Sequence, residues 1–175
     1  MTAPRKTREP QYHVHIDHHD ERGSAQFGLH YNYVWNDDPR ALVFSMSRYK
    51  FVAKMLAGRE RVAELGCGDG MGARLVQQTC SHVTVTDFDP IYINDIKQRV
   101  DPDWPLDAYV HDITASPLSE KFDAIYTLDV MEHIPAENEP AAMQNILASL
   151  KPEGVLVVGI PSLASQEHAH PKSKE

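Results

Sequence analysis

The chain is poor in cysteine, with only Cys67 and Cys80, and its longest apolar stretch is the short Val155–Ile160. Two thiols build no disulfide framework. A membrane helix needs ~20 apolar residues, so no span is expected. Met1–Pro10 is basic but has no apolar core, so it does not read as a signal peptide. A reduced cytoplasmic setting follows as the expectation. Basic residues are also in deficit, 17 against 25 acidic, for a net charge of −8. Phosphate binding leans on a surplus of Lys and Arg, which argues against a nucleic-acid partner. No internal repeat is present.

What remains is one ordinary globular domain: 175 residues, 42% hydrophobic. A chain of this size buries roughly 70% of its unfolded surface and needs no staples. Residues 1–26 read as a polar, mobile arm carrying His13, His15, His18 and His19. His-x-His spacing in such an arm reads as solvated, and no metal is assigned to it. Residues 162–175 read as a second polar tail, leaving 27–161 as the folded domain.

Within that domain, strands alternate with helices. Asp38 caps a helix that opens on Pro39 and runs to about Ala57, where Gly58 stops it. Strands are expected at Arg61–Leu65, His82–Thr86, Leu106–Val110, Phe122–Leu128 and Val155–Ile160. Helices are expected from the glycine turn to about Thr79, over Pro90–Val100, and over Glu137–Leu150. In the last, Met143, Ile146, Leu147 and Leu150 recur at helical spacing. Such alternation predicts a parallel sheet covered on both faces, a doubly wound α/β domain.

The chemistry starts where the first strand enters Glu64-Leu65-Gly66-Cys67-Gly68-Asp69-Gly70. Glycines there permit a tight turn and close ligand approach, and the next helix offers free N–H groups. Asp87 ends the second strand, where a carboxylate accepts hydrogen bonds from both ribose hydroxyls. Together they imply a nucleoside-bearing cofactor. Gly68–Ala73 also fits the dinucleotide pattern formally, but Gly66 already opens the turn. Glu64 is awkward beside a pyrophosphate and welcome beside a cation such as a sulfonium.

These blocks resemble the class I S-adenosylmethionine-dependent methyltransferases. Glu64–Gly70 resembles their first motif and Thr86-Asp87-Phe88-Asp89-Pro90 their second. His111-Asp112-Ile113 resembles the adenine-edge site. Phe122–Ile134, which contains Asp129 and Glu132-His133, resembles the strand-four motif, and Leu150–Pro161 the strand-five block. The last two are similar to the subgroup of ubiquinone-biosynthesis O-methyltransferases. The resemblance implies a Rossmann-like sheet of about five parallel strands, ordered 3-2-1-4-5, with the family's strands six and seven absent. It implies S-adenosyl-L-methionine as cofactor and S-adenosyl-L-homocysteine as product. Gly66, Cys67, Gly68 and Gly70 would then underlie the methionyl part and ribose. Glu64 would lie near the amino end and Asp87 on the ribose diol. Phe88, Asp112 and Ile113 would surround the adenine, with Leu128 close to the methyl group. His133 and Asp129 are the candidate bases for a hydroxyl acceptor.

Asp129–His133 is also similar to the E-x-x-E-H element of metal-dependent small-RNA terminal methyltransferases. That family needs a distant histidine, which neither His168 nor His170 matches, so no metal is assigned. Trp35 and Tyr31 either shape an acceptor pocket or pack the arm on the sheet.

The expected function is methyl transfer to a small-molecule acceptor, at oxygen. The rivals are a nicotinamide-dependent oxidoreductase and a truncated, non-catalytic cofactor-binding module. An unpaired fifth strand is an apolar edge, so either the chain is a truncation or a partner covers Val155–Ile160, a homodimer being the candidate.

Overall fold

In a computed structural model, residues 5–162 and Ala164 are described. Five parallel strands form the sheet: β1 (Arg61–Leu65), β2 (His82–Asp87), β3 (Asp107–Val110), β4 (Phe122–Leu128) and β5 (Leu150–Gly159). Their order is β3-β2-β1-β4-β5, as expected. The helices are α1 (His13–Arg22), α2 (Leu29–Asp37), α3 (Pro39–Met55), α4 (Ala73–Gln77), α5 (Pro90–Arg99) and α6 (Glu139–Ser149). No helix among the described residues is long and apolar enough to cross a membrane.

Period-two alternation splits the sheet's side chains between two cores. On one face Val62, Val83, Val85, Ala124 and Tyr126 meet Tyr49, Val52 and Leu56 at α3, Ala73 and Val76 of α4, and Ile93 and Ile96 of α5. On the other, Ala63, Leu65 and Ile125 meet Ala142 and Ile146 of α6. No helix joins β3 to β4. Instead Ile113 and Leu118 of the connector are buried in the second core. Asn145 of α6 pins this connector by donating to the Ile113 carbonyl at 2.7 Å, and the Leu118 N–H donates to Ser149 Oγ at 2.8 Å.

The differences from the sequence reading lie at element ends and in the arm. Asp38 does cap α3, accepting from the Arg40 N–H. Helix α4 is shorter than expected, and β5 begins at Leu150, directly after α6, where Leu150 already pairs with Phe122. A turn at Glu153, with φ at 61°, and a ladder irregularity between Phe122 and Ala124 then reset the strand before Val155. The arm is helical at His13–Arg22, and Arg22 pairs with Asp101 and Asp103 across the chain. The aromatic stretch after Gly28 is also a helix, α2. The expected tail lies outside the described residues apart from Ser162 and Ala164, as do His168 and His170.

Gly72 leaves no room for a side chain, because a Cβ there would meet the Tyr49 ring. Gly72→Ala is expected to destabilise the fold by about 1–3 kcal/mol through overpacking, read from the urea midpoint.

Candidate functional site

The turn after β1 is built on left-handed glycines. Gly66, Gly68 and Gly70 have φ of 67°, 53° and 68°. Two of them are crowded: a Cβ at Gly66 would meet Val130, and one at Gly70 would meet Ile96. Gly68 is different, because a Cβ there would meet nothing within 4 Å. Its bare backbone faces open space, as a ligand's close approach requires.

Asp87 ends β2 beside this opening. Its Oδ2 accepts from the Gly68 N–H at 2.9 Å and its Oδ1 from the Asp89 N–H at 2.9 Å. Each carboxylate oxygen has two lone pairs, so these bonds orient the group while leaving acceptor capacity. The next residue, Phe88, is 75% exposed.

Glu64 lies beneath the turn, fully buried on β1. Its Oε1 accepts from Tyr49 Oη at 2.7 Å and its Oε2 from Tyr126 Oη at 2.8 Å. Burial raises its pKa from 4.5 to about 7, with the two tyrosine hydrogen bonds opposing the rise. Burial also pushes the Tyr49, Tyr126 and Cys67 pKa values up. Cys67 is thus an inert thiol inside the turn, its N–H donating to the Thr86 carbonyl at 3.0 Å.

Asp69 is buried as well. It accepts from the Tyr31 N–H at 2.9 Å, and its carbonyl accepts from Arg99 at 2.9 Å. One contact ties the start of α2 to the glycine turn and the other ties α5 to it. Tyr31 is accordingly buried, whereas Trp35 is half exposed with its ring beside that of Phe27.

At the carboxyl end of β4, Leu128 packs on the first core and Asp129 takes a positive φ of 56°. The Asp129 carboxylate is paired with Arg48 of α3. The other guanidinium nitrogen of Arg48, Nη2, is buried without a hydrogen-bond partner among the described residues. His133 sits exposed in a 3-10 turn, Met131–His133. Asp112 accepts from the Thr114 N–H at 2.8 Å and from the Thr114 hydroxyl at 2.6 Å, which holds its pKa low. Ile113 is buried behind it. Among the described residues, no three His, Cys, Asp or Glu side chains cluster to hold a metal.

Sequence reading missed Tyr49, Tyr126, Arg48 and Asp69. Tyr126 was within reach, since Glu64 and Tyr126 are register partners once β1 and β4 are known to be neighbours.

A sequence profile of the family described as "Methyltransferase domain" matches residues 62–154. The chain belongs to the class I S-adenosylmethionine-dependent methyltransferases. Among curated relatives of this methyltransferase, a Schizosaccharomyces pombe protein named as a mitochondrial ubiquinone biosynthesis O-methyltransferase is 24% identical over 153 residues. That match covers 82% of this chain and 53% of that protein. A Xylella fastidiosa ubiquinone biosynthesis O-methyltransferase is 30% identical over 118 residues, covering 63% of this chain and 46% of that one. The chain thus spans about half the length of the curated relatives it matches. Two solved structures share the fold. The N-methyltransferase NodS of Bradyrhizobium japonicum, in complex with S-adenosyl-L-homocysteine, has TM-score 0.56 and 24% identity over 70% of this chain and 63% of that one. A TehB-like methyltransferase of Corynebacterium glutamicum has TM-score 0.56 and 21% identity over 90% and 78%.

The raised Glu64 pKa has a consequence for stability. Between pH 4.5 and about 7 the native carboxyl keeps a proton that the unfolded chain has released. Its contribution is complete below that window and falls as pH rises through it. Relative to Glu64→Gln, the wild type is expected to lose about 3 kcal/mol between pH 4 and pH 8, at roughly 1.4 kcal/mol for each pH unit of the window. Urea unfolding of both proteins at the two pH values measures this, and parallel losses would refute it.

Proposed function

We propose that the chain binds S-adenosyl-L-methionine over the glycine turn and transfers its methyl group to a small-molecule acceptor, at oxygen. The observation that carries this reading is the open face of Gly68 beside the oriented Asp87 carboxylate. The residues fit the cofactor in three further respects. Buried Asp69 and Asp87 give the site negative potential, suited to a sulfonium and an ammonium group. Glu64 is sealed from solvent, so it acts by fixing the turn through Tyr49 and Tyr126 rather than by contact. The spare, buried Nη2 of Arg48 is an unpaired donor whose cost a carboxylate would remove, and the methionyl end carries one.

Asp87 would hold the ribose diol, and Phe88, Asp112 and Ile113 the adenine, with Asp112 using the oxygen left outside its turn. Leu128 would line the space near the methyl group. The cofactor supplies an electrophilic methyl on a cationic sulfur when bound. The protein's part is to align the acceptor oxygen in line with the sulfur–methyl bond, exclude water, and take the hydroxyl proton. An imidazole nitrogen of His133 is the better base. Asp129 is already engaged by Arg48 of α3, whereas His133 is exposed. Oxygen as the target is supported by the names of the curated relatives. The methyltransferase-domain match speaks against the nicotinamide reading.

Calorimetric titration with S-adenosyl-L-homocysteine, beside NADH as control, tests the cofactor. Binding of the first alone is expected, and binding of NADH alone would overturn the proposal. Binding without turnover on any hydroxyl acceptor would favour the non-catalytic module. Asp87→Ala should weaken S-adenosyl-L-homocysteine by about 1.5–3 kcal/mol, the range for hydrogen bonds to a charged group. Arg48→Gln should weaken it similarly while leaving 5′-methylthioadenosine, which lacks the amino-acid end, unaffected. Equal losses for both ligands would remove Arg48 from the carboxylate role.

A further inference from the structure

A cavity of about 310 Å³ lies on the face of the sheet that carries the β3–β4 connector. It is lined chiefly by Arg61, Thr84, Asp107, Tyr109, Glu120 and Phe122. Arg61, Asp107 and Phe122 are the first residues of β1, β3 and β4. The cavity therefore sits at the opposite end of the strands from Gly68 and Asp87, and it shares no residue with the glycine turn.

Period-two alternation builds its floor. Val83 and Val85 of β2 enter the first core, so Thr84 between them faces the other way, beside its register partner Asp107. Thr84 is only 4% exposed, yet its hydroxyl has no hydrogen-bond partner among the described residues. Thr86, on the same side of the strand, donates its hydroxyl to the Glu64 carbonyl at 3.2 Å. A buried hydroxyl left unpaired is costly, and this one lines the cavity.

The remaining groups with capacity to spare are acceptors. Asp107 uses Oδ2 for His82 Nε2 at 2.9 Å, and Glu120 uses Oε2 for Arg61, so each keeps its other oxygen. The guanidinium of Arg61 is committed twice, to Glu120 and over the Phe122 ring at 5.9 Å. Lys121, the neighbouring cation, is turned to the Ala148 carbonyl. Two carboxylates against one engaged guanidinium leave the lining net negative, with the rings of Tyr109 and Phe122 as its apolar walls.

We propose that this cavity is a second small-molecule site, which takes an organic ammonium ion with a compact aromatic body. The ammonium group donates to the Thr84 hydroxyl and the free oxygen of Asp107, and the body rests against Tyr109 and Phe122, where a cation also meets ring faces. The volume equals about ten liquid waters at roughly 30 Å³ each, which suits a ligand of about ten heavy atoms. An anion of the same size finds no free donor cation here.

Calorimetric titration of the 175-residue chain with phenethylamine at neutral pH tests the proposal, with hydrocinnamate as the anionic counterpart. The amine is expected to bind and hydrocinnamate is not. Saturating S-adenosyl-L-homocysteine should leave the amine bound, since the two sites share no residue. Thr84→Val and Asp107→Asn should each raise the dissociation constant for the amine at least about tenfold, the effect of losing one hydrogen bond to a charged group. Neither should change the affinity for S-adenosyl-L-homocysteine, and circular dichroism melts check that both variants fold. Absence of amine binding by the wild type, equal binding of hydrocinnamate, or displacement of the amine by S-adenosyl-L-homocysteine would each overturn the proposal. So would an amine affinity unchanged in both variants.

Discussion

The Glu64 carboxyl group, held between two tyrosine hydroxyls, is the interaction on which the rest of the site depends. It joins β1, through its own backbone, to α3 through Tyr49 and to β4 through Tyr126. These are the elements that carry the glycine turn, Arg48 and Asp129. A carboxyl sealed from water is costly unless hydrogen bonded, and each of its oxygens has one donor. Replacing it with an apolar residue would leave two buried hydroxyls without their acceptor. The turn above it, with φ values accessible mainly to glycine, inherits its position from this layer.

The architecture follows from the same economy. α3, α4 and α5 bury one face of the sheet, while α6 and an irregular connector bury the other. The connector replaces a helix by sinking Ile113 and Leu118 and satisfying its backbone through Asn145 and Ser149. The carboxyl ends of β1, β2 and β4 consequently present Gly68, Asp87 and Asp129 on one rim of the sheet, the rim where open α/β sheets bind ligands.

Much of this was legible in the sequence. The strands and the glycine turn came through because buried parallel strands are rich in apolar and β-branched residues, and because glycine spacing reflects required backbone angles; the order of the strands came from the resemblance to the methyltransferase family. Asp87 was legible from its place at a strand end. Less legible were contacts between residues distant along the chain. Nothing local marks Arg48 as the partner of Asp129, 81 positions away, or Asp69 as the anchor of α2. The helicity of His13–Arg22 was hidden because its polar and histidine-rich residues show no apolar period, and none of them is buried. The Leu150 pairing was hidden by Pro152 and Gly154, which read as a loop although the ladder begins before them.

The bond from the Tyr31 N–H to Asp69 makes the first turn of α2 and the glycine turn a single mechanical unit. Coupling of this kind is reciprocal: whatever quiets one part quiets the other by the same free energy. A ligand that settles on the turn therefore also settles the aromatic helix beside it, including Tyr33 and Trp35, which are half exposed. The wall against which a second ligand would rest is firmest after the first has arrived. Because the coupling is reciprocal, whichever ligand arrives first firms the site of the other, through one backbone hydrogen bond rather than any moving lid.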